Sequence, residues 1–95
     1  MILHKFSVSP FSQSNLISAL SRIDPNDGIL LMEDAVYGLN SALIFEPIIQ
    51  RTKNVYALQP DCVARGISCS EQAITQIDYD GFVALSLEYD KVISW

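Results

Sequence analysis

The sequence predicts an α/β fold: one small three-layer α/β/α domain over residues 1–95, with a mainly parallel sheet of about five strands. Three observations predict it. Short β-leaning runs alternate with helical periodicities along the whole chain. The run Ile29–Met32 is continuously apolar, as a strand buried on both faces of a parallel sheet must be. Ile, Leu, Val and Phe make up 31 of 95 residues, which supplies a core and excludes intrinsic disorder.

The elements follow in order. Met1 to Ser7 alternates, placing Ile2, His4 and Phe6 on one face of a strand and Leu3, Lys5 and Ser7 on the other. Ser9-Pro10 supplies a helix start, because proline suits the first helical position. Leu16, Leu20 and Ile23 then recur at i, i+4 and i+7, giving an amphipathic helix to about Ile23. Asp24-Pro25-Asn26-Asp27-Gly28 is a turn, followed by the buried strand Ile29–Met32. Asp34 is placed to cap a helix over Ala35–Gln50, made irregular by Gly38 and Pro47. Asn54–Leu58 is the third strand, and Pro60-Asp61 opens a short helix that Gly66 stops. Ile67–Gln76 is the least readable stretch, with a short strand near Ile74–Ile77. Asp78–Glu88 is a helix, with Phe82, Leu85 and Tyr89 at i, i+3 and i+7, and Lys91–Trp95 is a last strand.

Composition narrows the function. No apolar stretch approaches the roughly 18–20 residues of a membrane span, and the N-terminal residues lack a signal-peptide pattern, so a cytoplasmic protein without membrane contact is expected. Six basic and eleven acidic residues give a net charge of −5. Lys5, Arg22, Arg51, Lys53, Arg65 and Lys91 are scattered, whereas a phosphate-tracking surface needs clustered cations; direct nucleic-acid binding is not expected. Cys62 and Cys69 are spaced neither as a CxxC redox pair nor as a zinc half-site, and there is one histidine, so no metal is expected. A mean hydropathy of +0.24 is high for a chain with so much surface relative to core. Part of the apolar content should therefore form an exposed patch covered by other subunits, through which the isolated chain can self-associate.

Sites in open parallel sheets form beyond the carboxyl ends of strands. Those positions hold Ser7, Ser9 and Gln13, then Glu33 and Asp34, then Gln59, Asp61 and Cys62. None carries GxGxxG or a P-loop, so no nucleotide cofactor is expected. His4 lies within the first strand with no catalytic motif tied to it and reads as a structural histidine hydrogen-bonded at a sheet edge. Glu33 and Asp34 diverge at a strand end and make a poor acid/base dyad. Cys62 has the one chemical argument: it falls in the first turn of the helix opened by Pro60, where the dipole favours a thiolate. Arg65 would assist and Asp61 would oppose.

Leu3-His4 followed by Ser9-Pro10-Phe11, then Leu30-Leu31-Met32-Glu33-Asp34-Ala35-Val36, form an ordered set with Val55-Tyr56-Ala57-Leu58 leading through Asp61 to Ala64-Arg65-Gly66. Asp78-Tyr79, Phe82-Val83 and Trp95 close it. In this order and spacing the chain resembles the TusB/DsrH family of sulfur-relay subunits, small members of the DsrE-like α/β group.

The resemblance implies a non-catalytic subunit of a TusBCD-like sulfurtransferase complex, assembled with TusC-like and TusD-like subunits in a hetero-oligomer. Such a complex passes persulfide sulfur from a TusA-like donor to a TusE-like acceptor, towards 2-thiolation of the wobble uridine of tRNA. The family's working cysteine belongs to the TusD-like subunit. Some DsrH members carry a cysteine in the first-helix region, and Leu16–Arg22 has none. No catalytic residue is therefore expected here; the alternative is a small thiol sulfurtransferase with Cys62 as persulfide carrier.

Overall fold

A computed structural model of the chain describes residues 1–12, 15–68 and 73–95. Five strands, Ile2–Phe6 (β1), Gly28–Leu31 (β2), Asn54–Leu58 (β3), Thr75–Ile77 (β4) and Lys91–Ser94 (β5), form one sheet in the order β4-β3-β2-β1-β5. Every neighbouring pair is parallel. The helical segments between them are Asn15–Ala19 (α1) with a 3-10 turn at Leu20–Arg22, a 3-10 helix over Glu33–Asn40, Ala42–Arg51 (α2), Gln59–Ala64 (α3) and Tyr79–Glu88 (α4). The α/β class with five parallel strands and helices on both faces is thus as the sequence predicts. Among the described residues, no helix is long and apolar enough to cross a membrane.

Strand alternation divides the core between two unequal faces. On one, Phe6, Ile29, Leu31, Val55 and Ala57 pack beneath Leu16, Ala19, Ile23, Val36, Ile48 and Cys62 from four helical segments. On the other, Leu3 and Leu30, with Tyr56 beside them, are covered by α4 through Leu85, Phe82 and the adjoining Tyr89. β2 is central and all four of its residues are buried, which explains its lack of alternation.

Four expectations need correction. The first helix begins, among the described residues, at Asn15; Ser9 to Ser12 make a turn in which the Ser12 N–H donates to the Ser9 carbonyl. The single irregular helix over Ala35–Gln50 is two helices. They are separated at Ser41, whose extended backbone (φ −127°, ψ 119°) ends the 3-10 segment, while its carbonyl accepts the Phe45 N–H that starts α2. Asp34 lies inside the 3-10 helix and caps nothing; its carboxylate faces Arg65 instead. The expected stop at Gly66 is present, with φ at +64° and the Ile67 N–H closing onto the Cys62 carbonyl. Asp78 is the N-cap of α4 rather than its first residue, accepting from the Gly81 N–H at 2.7 Å.

Gly28 is required by a close approach. A Cβ there would lie 2.5 Å from the Tyr89 hydroxyl and 3.1 Å from Leu3 Cδ1. Burial, together with a hydrogen bond to Tyr56, holds the Tyr89 phenol protonated well above its ordinary range. Gly28→Ala must push the Tyr89 ring off Tyr56, and should destabilise the fold by about 1–3 kcal/mol in urea unfolding.

Candidate functional site

At the carboxyl edge of the sheet the chain leaves β2 through Glu33, whose φ of 49° is left-handed, a conformation that favours glycine. Such a residue costs of order 1–3 kcal/mol and persists where its surroundings hold it. Asp61 of α3 does so, accepting the Glu33 N–H at 2.6 Å. Arg65, one turn further along, donates through Nε to Asp34 at 2.9 Å and through Nη1 to the Asp61 carbonyl at 3.3 Å. The Asp61 carboxylate stands 3.8 Å from the same guanidinium. The hydrogen bond to Asp34, with both carboxylates nearby, holds Arg65 more firmly protonated. Glu33, Asp34 and Asp61 are thus brought together with Arg65, but as a clamp between the end of β2 and α3.

Cys62 points away from this edge into the larger core and is 1% exposed. A hollow of about 440 Å³ at the ends of β3 and β4 is lined by Gln59, Gln76, Ile77, Asp78 and Gly81, without Cys62. Ser9 is used locally: its hydroxyl accepts the Phe11 N–H. Gln13 and Cys69 lie outside the described residues. Among the described residues, no group of three or more His, Cys, Asp and Glu side chains is arranged to hold a metal ion.

The second polar constellation was only half visible in the sequence. His4 is 2% exposed, on a strand flanked by β2 and β5, so it is interior rather than at a sheet edge. Its Nδ1 lies 3.1 Å from Trp95 Nε1 and its Nε2 lies 2.9 Å from Asp27 Oδ2. Indole N–H can only donate, so Nδ1 accepts and Nε2 carries the proton given to Asp27. The Trp95 ring stacks against both His4 and Phe6, centroids 6.1 and 6.0 Å apart. Asp27 also accepts the Ile2 N–H at 2.9 Å and the Asp24 N–H at 3.1 Å. Thr52, itself buried, donates to the Asp27 carbonyl at 2.7 Å. Asp27 read as a turn residue because the five residues around it are all turn formers; its second role needs the β1–β2 register, which brings it beside Ile2.

Burial works against the charge on Asp27, but the hydrogen bonds from His4, Ile2 and Asp24 outweigh it and hold the carboxyl below its ordinary value of 3.8. A depressed native pKa gives stability that is complete above the unfolded value and is lost as pH falls through the native one. Asp27→Asn should therefore cost about 1–3 kcal/mol at neutral pH, and its stability should decline less steeply than wild type below about pH 4 in acid titrations followed by circular dichroism. The His4 tautomer is checked by nitrogen-15 NMR, where Nε2 should carry the proton and Nδ1 should give the shift of an unprotonated nitrogen. Trp95→Phe should leave the proton on Nε2, because the Asp27 carboxylate still accepts it, and should shift only the Nδ1 resonance, which loses its donor.

Comparison with known proteins places this geometry in a family. The family described as DsrH like protein matches residues 8–92. The TusB protein of Pectobacterium carotovorum subsp. carotovorum (strain PC1) is 33% identical, over 99% of this chain and all of the relative. That of Escherichia coli (strain SMS-3-5 / SECEC) is 29% identical, again over 99% of this chain and the whole relative. Among solved structures, the ychN protein of E. coli superposes with a TM-score of 0.77 at 18% identity, covering 99% of this chain and 97% of that one. Protein Tm0979 of Thermotoga maritima gives 0.66 at 22% identity, covering 95% of each chain. These two share the fold. The match over most of the chain, with relatives more than 30% identical along their full length, shows that the chain belongs to the DsrH-like family that includes the TusB proteins.

Proposed function

We propose that the chain is a non-catalytic subunit of a TusBCD-like persulfide-relay complex in the cytoplasm, supporting 2-thiolation of the wobble uridine of tRNA. It would assemble with TusC-like and TusD-like subunits, within a complex that takes sulfur from a TusA-like donor and hands it to a TusE-like acceptor. The observation that carries this reading is the end-to-end similarity to TusB proteins. The local chemistry supports it. A persulfide carrier needs an accessible thiolate, and Cys62 is enclosed by the core. The nearest cation, Arg65, is engaged by Asp34 and by Asp61. Cys62 as persulfide carrier is accordingly the weaker reading.

The test is reconstitution of the complex with Cys62→Ser and Cys69→Ser combined. Thiolation of tRNA should continue at close to the wild-type rate. The Cys62→Ser change should lower the stability of the isolated chain by about 1–2 kcal/mol, through a buried hydroxyl in a thiol's place. Incubation of the wild-type chain with a persulfide donor should leave its mass without an added sulfur atom. Loss of thiolation from an assembled mutant complex would instead assign sulfur carriage to one of the two cysteines.

A further inference from the structure

We infer that the outer face of α4 is a docking surface for a companion subunit whose own apolar stripe is flanked by lysine or arginine. The identity of the companion rests on the relay-subunit reading above. The surface rests on three observations of this chain.

The first is the character of the helix. A surface helix normally turns an apolar stripe inward and a polar face outward, whereas one that is apolar all round belongs in an interior. α4 buries Leu85 and partly buries Phe82 against the sheet. Its opposite side carries Tyr79, Val83 and Leu87 at i, i+4 and i+8, exposed by 56, 60 and 81%. Large side chains in a row are what an uncovered interface leaves behind.

The second is the imbalance of the two layers. Among the described residues, four helical segments pack on the larger core, and α4 is the helix that packs on the other face. A single helix is about 10–12 Å across with its side chains, while five strands span about 19 Å between their outer axes. Val92 of β5 shares that face with Leu3 by register, and it too is exposed. That face of the sheet therefore also leaves an apolar side chain uncovered at its β5 edge.

The third is charge. The helix contains no basic residue, and the cation nearest its Phe82 ring, Lys5 of β1 with Nζ 5.7 Å from the centroid, lies on the sheet side; Asp80 and Glu88, both exposed, each follow a stripe residue by one position and so border the stripe along one flank. Asp78 is engaged as the N-cap, and Asp90 is paired with the Met1 amine at 2.7 Å. A second copy would bring the same acidic flank to the contact, whereas a stripe edged with lysine or arginine would neutralise it.

The experiment is co-expression of the chain with the TusC-like and TusD-like subunits of its own genome, followed by affinity co-purification. Val83→Glu combined with Leu87→Glu alters two exposed positions, so circular dichroism and thermal unfolding should stay close to wild type while recovery of the companions falls roughly tenfold or more. Leu43→Glu combined with Val63→Glu, on exposed apolar residues of α2 and α3, should leave recovery unchanged. Asp80→Lys with Glu88→Lys should weaken the association and reduce its salt dependence. If the double glutamate variant fails to fold, Val83→Ser with Leu87→Ser and the charge reversal decide the question in its place. Undiminished recovery with folded stripe variants would overturn the assigned surface while the relay reading stands. Cross-links joining the stripes of two identical chains inside the complex would overturn the assigned occupant. A wild-type chain that recovers neither companion would reject the relay-subunit reading and this occupant with it.

Discussion

The buried Asp27 carboxylate is the contact on which the sheet's geometry depends. One oxygen takes the Ile2 N–H at the start of β1; the other takes the Asp24 N–H and the His4 imidazole. His4 in turn accepts from Trp95, just beyond the end of β5. A single acceptor group thereby sets β1 against β2 directly and β5 through one intervening ring. Thr52 extends the same network towards β3, holding the Asp27 carbonyl from the residue that ends α2. Parallel strands have no hairpin turn to fix their register, so buried polar contacts of this kind supply a reference that apolar packing alone leaves loose.

The polar groups of this structure are largely engaged in holding the fold together. Two places where chemistry might have been sought are saturated with structural bonds: the His4 ring has both nitrogens engaged, and Arg65 is shared between Asp34 and Asp61. Among the described residues, no buried side-chain nitrogen or oxygen lacks a hydrogen-bond partner. Among the described residues, Glu33 is the non-glycine residue with a left-handed backbone, where the strand turns sharply into a 3-10 helix and Asp61 anchors the turn. Exposed apolar side chains occur on several elements, Leu43 of α2 and Val63 of α3 among them, and three of them line up along the outer side of α4.

The elements that the sequence predicts best are those with one dominant local signal. Ile29–Leu31 is apolar at every position because β2 is the middle of five strands, and Gly66 ends α3 because its left-handed conformation suits no other residue as well. The least accurate stretch is Glu33–Arg51, where the apolar period persists across two helices of different pitch. Hydrophobic spacing cannot distinguish a continuous helix from a 3-10 segment, a break at Ser41 and a fresh start. Asp34 illustrates the same limit: an acidic residue before an apolar run reads as a cap, but Arg65, 31 residues away, claims its carboxylate.

The sequence by itself determined the class of fold, the strand order along the chain, the apolar excess and, through its resemblance, the family. These properties follow from composition, short-range periodicity and motif order, all of which are written locally. Tertiary structure alone decided that His4 is locked between Asp27 and Trp95, that Glu33, Asp34, Asp61 and Arg65 form a clamp, and that Tyr79, Val83 and Leu87 stand exposed in a row on one side of α4. Each of these joins residues far apart in the chain or depends on which face a neighbouring element covers. Such information exists only once the strands are in register and the helices have chosen their sides.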